Sequence, residues 1–181
     1  QPANIEIDNA NRIWLFHSPA SISILKPSGR KIRQFRSDIN KKSGLSSFSP
    51  FSMNLFFQDE SHVIWLITYS NGLNYFQLDY SNFQSFQHEI DNKNSLSSNS
   101  VWGICEDHEK KLWIGTDGLD MYNPETGEFR HFSAETNPKL EYLTGSVQSI
   151  MEVSEDNFFV SSSGRILWLT YENNQMKLKR E

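Results

Sequence analysis

The chain has one cysteine, Cys105, so no internal disulfide can close. Ile104 and Glu106 flank it, with no neighbouring histidine or cation to favour a thiolate. It reads as a small side chain packed in a strand. No apolar run approaches the length of a membrane span, and no secretory leader is visible. Basic residues are the minority: 17 Lys and Arg stand against 22 Asp and Glu, for a net charge of −5. The densest basic patch, Lys177-Leu178-Lys179-Arg180, has the look of a solvated strand end. This balance argues against nucleic acid or anionic lipid as the main partner. The histidines His17, His62, His88, His108 and His131 have no i, i+2 or i, i+4 pairing, so metal-ligand spacing is missing. Phosphate-cradling glycine loops, a nucleophile elbow and paired acids in matching positions are missing too. No catalytic residue, metal or cofactor is expected.

What the chain does have is aromatic: 13% Phe, Trp and Tyr within a 37% hydrophobic total, at a mean hydropathy of −0.57. The aromatics repeat. In "LWIGTDGLDMYNPETGEFRHF", residues 112–132, a Trp in a short apolar run precedes a Gly turn, an aromatic strand, a Pro-Glu-Thr-Gly turn and a last aromatic strand. Trp14 in "RIWLFH" and Trp65 in "VIWLIT" hold the place of Trp113, and Phe159 in "NFFVSS" holds it once more. Nine residues before each anchor stands an apolar side chain: Ile5, Phe56, Ile104 and Ile150. Six before stand Asp8, Asp59 and Asp107, with Val153 the exception. Recurrence in register reads these aspartates as turn holders that bond nearby backbone amides.

Each copy divides into four short strands separated by turn chemistry; in the third they are 101–106, 111–116, 118–122 and 128–132. A four-stranded unit of this length, repeated, predicts all-β architecture built of β-propeller blades, four four-stranded antiparallel repeats in all. The blades take residues 1–43, 44–93, 94–136 and 137–181, with a short turn expected near 138–143. An α-solenoid would need a sustained 3.6 period, which no window shows, and a β-sandwich would not require one anchor at one offset. The aromatic anchors are expected to form the layers between blades. Four blades are the floor for closure, and the chain opens on Gln1 within its first strand. The expectation is therefore a partial propeller arc, a piece of something longer, whose bare end faces favour self-association.

The residues of the third copy, "NSLSSNSVWGICEDHEKKLWIGTDGLDMYNPETGEFRHF", resemble the two-component regulator propeller repeat. The shared features are the Ser-Leu-Ser-Ser-Asn lead-in, the Asp before the second strand, Leu-Trp-Ile-Gly-Thr, Gly-Leu, the aromatic-Asn-Pro turn, Thr-Gly and a closing Phe. The second copy keeps "FFQDESHVIWLITYSNGLNYF" but has "QLDYSN" at the Asn-Pro turn. The first and fourth carry "WLFH" and "FVSS" where Trp-Ile-Gly-Thr would stand. The resemblance implies a non-catalytic, extracytoplasmic (periplasmic) sensor region of a Bacteroidetes-type hybrid two-component regulator. Its further implications are a poly- or oligosaccharide-derived ligand, with the remaining blades and a histidine kinase outside this chain as partners.

Propeller topology brings the blade linkers and the turns between second and third strands to one rim, where ligands enter. The candidate ligand-binding residues there are His17, Tyr69, Asn71, Trp102 and Asp117, of types that stack on or hydrogen-bond a polyol. Trp14, Trp65, Trp113, Phe159, Asp8, Asp59 and Asp107 are structural anchors. A protein–protein scaffold is the alternative reading, and a propeller-fold glycoside hydrolase or lyase the less favoured one.

Overall fold

The computed structural model describes residues 2–18, 20–37, 45, 56–68, 71–77, 84–134 and 137–180. Among them run sixteen strands in four separate four-stranded antiparallel sheets, each a meander in chain order. Blade 1 holds β1 (Pro2–Ile7), β2 (Ile13–His17), β3 (Ser21–Leu25) and β4 (Lys31–Arg36). Blade 2 holds β5 (Phe56–Gln58), β6 (Ile64–Ile67), β7 (Leu73–Phe76) and β8 (Gln84–Phe86). Blade 3 holds β9 (Gly103–Glu106), β10 (Leu112–Gly115), β11 (Leu119–Asn123) and β12 (Glu128–Phe132). Blade 4 holds β13 (Val147–Ser154), β14 (Asn157–Ser162), β15 (Arg165–Glu172) and β16 (Gln175–Arg180). The expected turn near 138–143 is a short 3-10 segment, Pro138–Leu140, with Asn137 accepting from the Lys139 amide at its start.

The first hairpin of each blade shows why Asp and Trp travel together. In blade 3, Asp107 Oδ1 accepts from the backbone amides of Glu109 and Lys111, both at 2.9 Å. Its Oδ2 accepts from the indole N–H of Trp113 at 2.7 Å. Asp8 does the same for Ala10, Arg12 and Trp14, and Asp59 for Val63 and Trp65. One buried carboxylate thus ties the turn to the anchor six residues on. The third residue after each Asp, Asn11, His62 or Lys110, lies in the left-handed region at φ 57°, 64° and 66°, which turns the chain back into the next strand. His62 and His108 therefore share a turn type but not a position in it. The fourth copy lacks both members of the pair, having Val153 and Phe159, and its turn is correspondingly shorter.

The chain divides into two compact units, Gln1–Phe86 and Gln87–Glu181. Each buries one blade-to-blade layer. In the first, Trp14, Phe16, Ile22, Ile24 and Phe35 of blade 1 pack on Ile64, Leu66 and Phe76 of blade 2. In the second, Trp113, Leu119, Met121 and Phe132 of blade 3 pack on Phe158, Val160, Leu167 and Leu169 of blade 4. Strand alternation assigns two faces to every blade. We call the Trp-bearing face trailing and the opposite face leading. The leading face of the later blade covers the trailing face of the earlier one. Edge-to-face ring contacts such as Trp14–Phe76 at 5.8 Å add to the area term.

Approach at the inner strands is close. A Cβ on Gly115 would stand only 2.1 Å from the Val147 carbonyl oxygen, so glycine there lets β10 meet the start of β13. The Val147 amide in turn donates to the Thr116 carbonyl at 2.9 Å. Phe159 holds the strand register expected of an anchor, opposite Trp168 on β15, but its side chain is partly exposed rather than sealed in a layer. The buried ring of β14 is its neighbour Phe158, which meets Trp113 at 4.8 Å.

Candidate functional site

The second unit carries a cleft of about 360 Å³. Its walls come from the linker before blade 3 (His88, Ser97, Ser98, Asn99), the β10–β11 turn (Asp117, Gly118), Asp120 on β11 and the end of β12 (His131, Phe132, Ser133). Linker and turn meet here as the rim argument expects.

Asp120 organises this wall. It sits between Leu119 and Met121 on β11, is fully buried, and faces His131 in the strand register. Its Oδ1 lies 2.9 Å from His131 Nδ1, and its Oδ2 accepts from the Ser97 amide at 2.9 Å. His131 Nε2 lies 2.9 Å from the Lys93 carbonyl oxygen. A carboxylate and a carbonyl can only accept, so both ring nitrogens must donate, which requires the imidazolium form. The Asp120 bond accordingly raises the His131 pKa, against an opposing effect of burial.

Further bonds fasten the linker to blade 3. Asn94 donates to the Gly127 carbonyl at 3.0 Å and accepts from the Phe129 amide at 2.7 Å. Ser97 Oγ meets Thr116 Oγ1 at 2.8 Å. Asp117 reaches into the mouth, where Ser98 Oγ donates to it at 3.0 Å and Ser146 Oγ at 3.5 Å. His88 is oriented by the Leu96 carbonyl, 2.7 Å from its Nδ1.

Among the described residues the lining is therefore hydroxyls, an amide, imidazoles, carboxylates and the Phe132 ring, with no Lys or Arg. That inventory offers donors and acceptors to a neutral polyhydroxylated molecule and repels an anion through Asp117. Both carboxylates already hold the wall together, Asp120 through Ser97 and His131, Asp117 through its two serines.

Of the residues singled out from sequence, Asp117 lines the cleft. Trp102, on the same linker, is half-buried and outside the lining, and its amide donates to the Gly115 carbonyl at 2.8 Å. His17 and Asn71 belong to the other unit, where His17 Nε2 lies 3.1 Å from Ser23 Oγ. Tyr69 lies outside the described residues. Sequence reasoning missed Asp120, His131 and Ser97. A signal was present: the position opposite the residue after the anchor is buried and polar in three copies, as Ser23, Asn74 and Asp120. Cys105 is half-buried beside the blade 3–blade 4 layer, and burial pushes its thiol pKa up, as expected of a packed rather than reactive cysteine.

Residues 95–118 match the two component regulator propeller family, which bears out the resemblance carried by the third copy. No curated protein matches the chain. Among solved structures it is similar to the extracellular domain of a hybrid two component system from B. thetaiotaomicron. That match has a TM-score of 0.76 at 21% identity and covers 96% of this chain and 24% of that one. The extracellular domain of a one component system from B. thetaiotaomicron gives 0.63 at 19%, covering 96% and 21%. Virginiamycin B lyase from Staphylococcus aureus gives 0.61 at 14%, covering 98% and 54%. At these identities the likeness is one of fold. The chain spans about a quarter of the length of the two B. thetaiotaomicron domains.

Proposed function

We propose that this chain is a non-catalytic, extracytoplasmic sensor module of a two-component regulator, and that the cleft on its second unit takes a neutral, oligosaccharide-derived ligand. The observation that carries the reading is the coincidence of two things in one blade. The two component regulator propeller match falls on residues 95–118, and those residues supply much of the cleft wall, from Ser97 to Gly118. The family supports sensing; the hydroxyl-rich mouth around the Asp117 carboxylate, with no Lys or Arg among the described lining residues, supports a neutral polyol over an acid. The stapled linker supports a preformed site, so that binding stiffens or shifts packing between blades rather than remodelling one. A histidine kinase outside this chain would read that change.

The test is a thermal-shift and calorimetric screen of the chain against short neutral oligosaccharides from xylan, mannan and glucans, with oligogalacturonate as the anionic control. A ligand at a hundred times its Kd adds about 2.7 kcal/mol, a rise of about 5–10 °C for a chain of this size. The reading expects one neutral class to give a saturable shift that Asp117→Ala abolishes. Silence across the neutral panel, or a response to the acidic sugar alone, would refute it.

A further inference from the structure

The bonds that His131 makes at the cleft depend on its protons. Its Nδ1 lies 2.9 Å from Asp120 Oδ1, and its Nε2 lies 2.9 Å from the Lys93 carbonyl oxygen. Neither partner has a hydrogen to give, so both bonds exist together only while the ring carries two protons. When one is lost, the other stays on Nδ1, because a carboxylate is the stronger acceptor. Nε2 then turns a lone pair on the Lys93 carbonyl, and the contact changes from bond to repulsion. Lys93 belongs to the linker that goes on to Ser97, Ser98 and Asn99, one wall of the cleft. The His131 side chain is 21% exposed and reaches solvent protons, whereas Asp120 is sealed.

The other ionisable groups around the cleft do not share this dependence. His88, on the same linker, donates from Nδ1 to the Leu96 carbonyl, a bond that the neutral and the charged ring can both make. Asp117, in the β10–β11 turn, is held by serine hydroxyls. Arg130 precedes His131 on β12, and strand alternation puts it on the opposite face. The bond to Asp120 keeps the His131 pKa raised, so both bonds are complete below the folded value and one is lost as pH rises through it.

We propose that His131 is a proton-controlled latch on the cleft: the imidazolium holds the linker wall against blade 3, and its deprotonation releases that wall. Coupling to a ligand rests on the sensor reading of the cleft given above; release of the wall does not. A ligand that needs the wall in place binds more tightly at low pH and, by reciprocity, moves the ring's titration to higher pH.

Hydrogen exchange at the Ser97 amide of the full 181-residue chain reads the wall without a ligand, because that amide donates to Asp120 Oδ2 at 2.9 Å. Its protection factor should fall about tenfold between pH 6 and pH 9, as expected for loss of one charged hydrogen bond. The fall should track the His131 ring titration followed by NMR. Asp120→Asn provides the sharpest contrast. With the asparagine oxygen on the Ser97 amide, its NH2 donates to Nδ1 and a neutral ring still donates from Nε2 to Lys93. Every bond is then satisfied without the extra proton, so protection should persist to pH 9. His131→Gln should remove the pH dependence, and His108→Gln, which alters the imidazole bonded to Glu152, should leave the Ser97 profile unchanged. Circular dichroism verifies folding. Flat Ser97 protection in the unaltered chain, or an Asp120→Asn chain that keeps the unaltered profile, would overturn the latch. Calorimetry with the xylan, mannan and glucan oligosaccharides at pH 6 and pH 9 is the ligand arm. Binding about tenfold tighter at pH 6 is expected from the same bond, and equal affinity would overturn the coupling. Silence at both pH values would sink the sensor reading, while the exchange profile decides the latch in either case.

Discussion

Replacing Asp107 by Asn isolates the bond between turn and anchor. The amide has the carboxylate's shape, and its oxygen can still accept from the Glu109 and Lys111 amides. That orientation turns the side-chain NH2 toward the Trp113 indole N–H, now 2.7 Å from an oxygen. Donor would then face donor at a site where Trp113 is fully buried and water is excluded. Flipping the amide rescues the indole and orphans the two backbone donors instead. The first arrangement leaves the buried indole N–H unsatisfied, which costs about 1–3 kcal/mol, the second gives up two part-buried bonds, and both remove the charge that strengthens the others. A total near 2–4 kcal/mol corresponds to a fall in Tm of about 5–12 °C for a chain of this length. Urea unfolding followed by far-UV circular dichroism measures it without relying on Trp emission. In the Trp113→Phe background the indole donor is already gone, so Asp107→Asn should cost about 1–2 kcal/mol less than it does alone. Stability within about 0.5 kcal/mol of the unaltered chain, or an additive cycle, would refute the idea that the carboxylate–indole bond is what couples the two residues.

Titration should show the staple. The His131 pKa is raised, so its contribution is full below about pH 6.5 and is lost as pH rises through the folded value. A thermal melt should therefore fall from pH 6 toward pH 9, and His131→Gln should flatten that slope; an unchanged slope would mean the imidazolium is not holding the linker. His108, also raised by its bond to Glu152, acts with the same sign, and His108→Gln separates the two. Asp8 has the opposite sign. Burial pushes its pKa up, but bonds from Trp14 and Arg12 outweigh this and hold it low, so its contribution persists above the usual carboxylate range and disappears as pH falls through the folded value. Asp8→Asn should shallow the acid limb of the stability curve. Phe158→Ala should cost about 3–5 kcal/mol in chemical unfolding, whereas Phe159→Ala in dilute solution should stay within about 0.5, a contrast that equal losses would contradict. His62→Gly relieves a left-handed residue and should raise the urea midpoint by the equivalent of about 0.5 kcal/mol.

Period and punctuation were legible in the linear chain. The Trp places, the aspartates six residues before them and the Gly, Pro and Asn turns specify short antiparallel strands, because hairpin geometry and strand alternation are local and two-residue periodic. Blade type followed from the repeat of that local pattern, as did the family likeness of the third copy. Asp117 could be picked out because it lies in a turn whose place in the repeat is known. What the linear chain did not reveal is anything that depends on a neighbour across a sheet or a layer. That Asp107 bonds Trp113 as well as the turn amides is a meeting created by the folded hairpin. Asp120 reads as one acid in an apolar strand until β12 sets His131 opposite it and the linker lays the Ser97 amide on its other oxygen. Phe158 and Phe159 are adjacent and chemically identical, yet one is sealed against Trp113 and the other meets solvent. Strand alternation sends them to opposite faces, and only packing determines which face finds a partner.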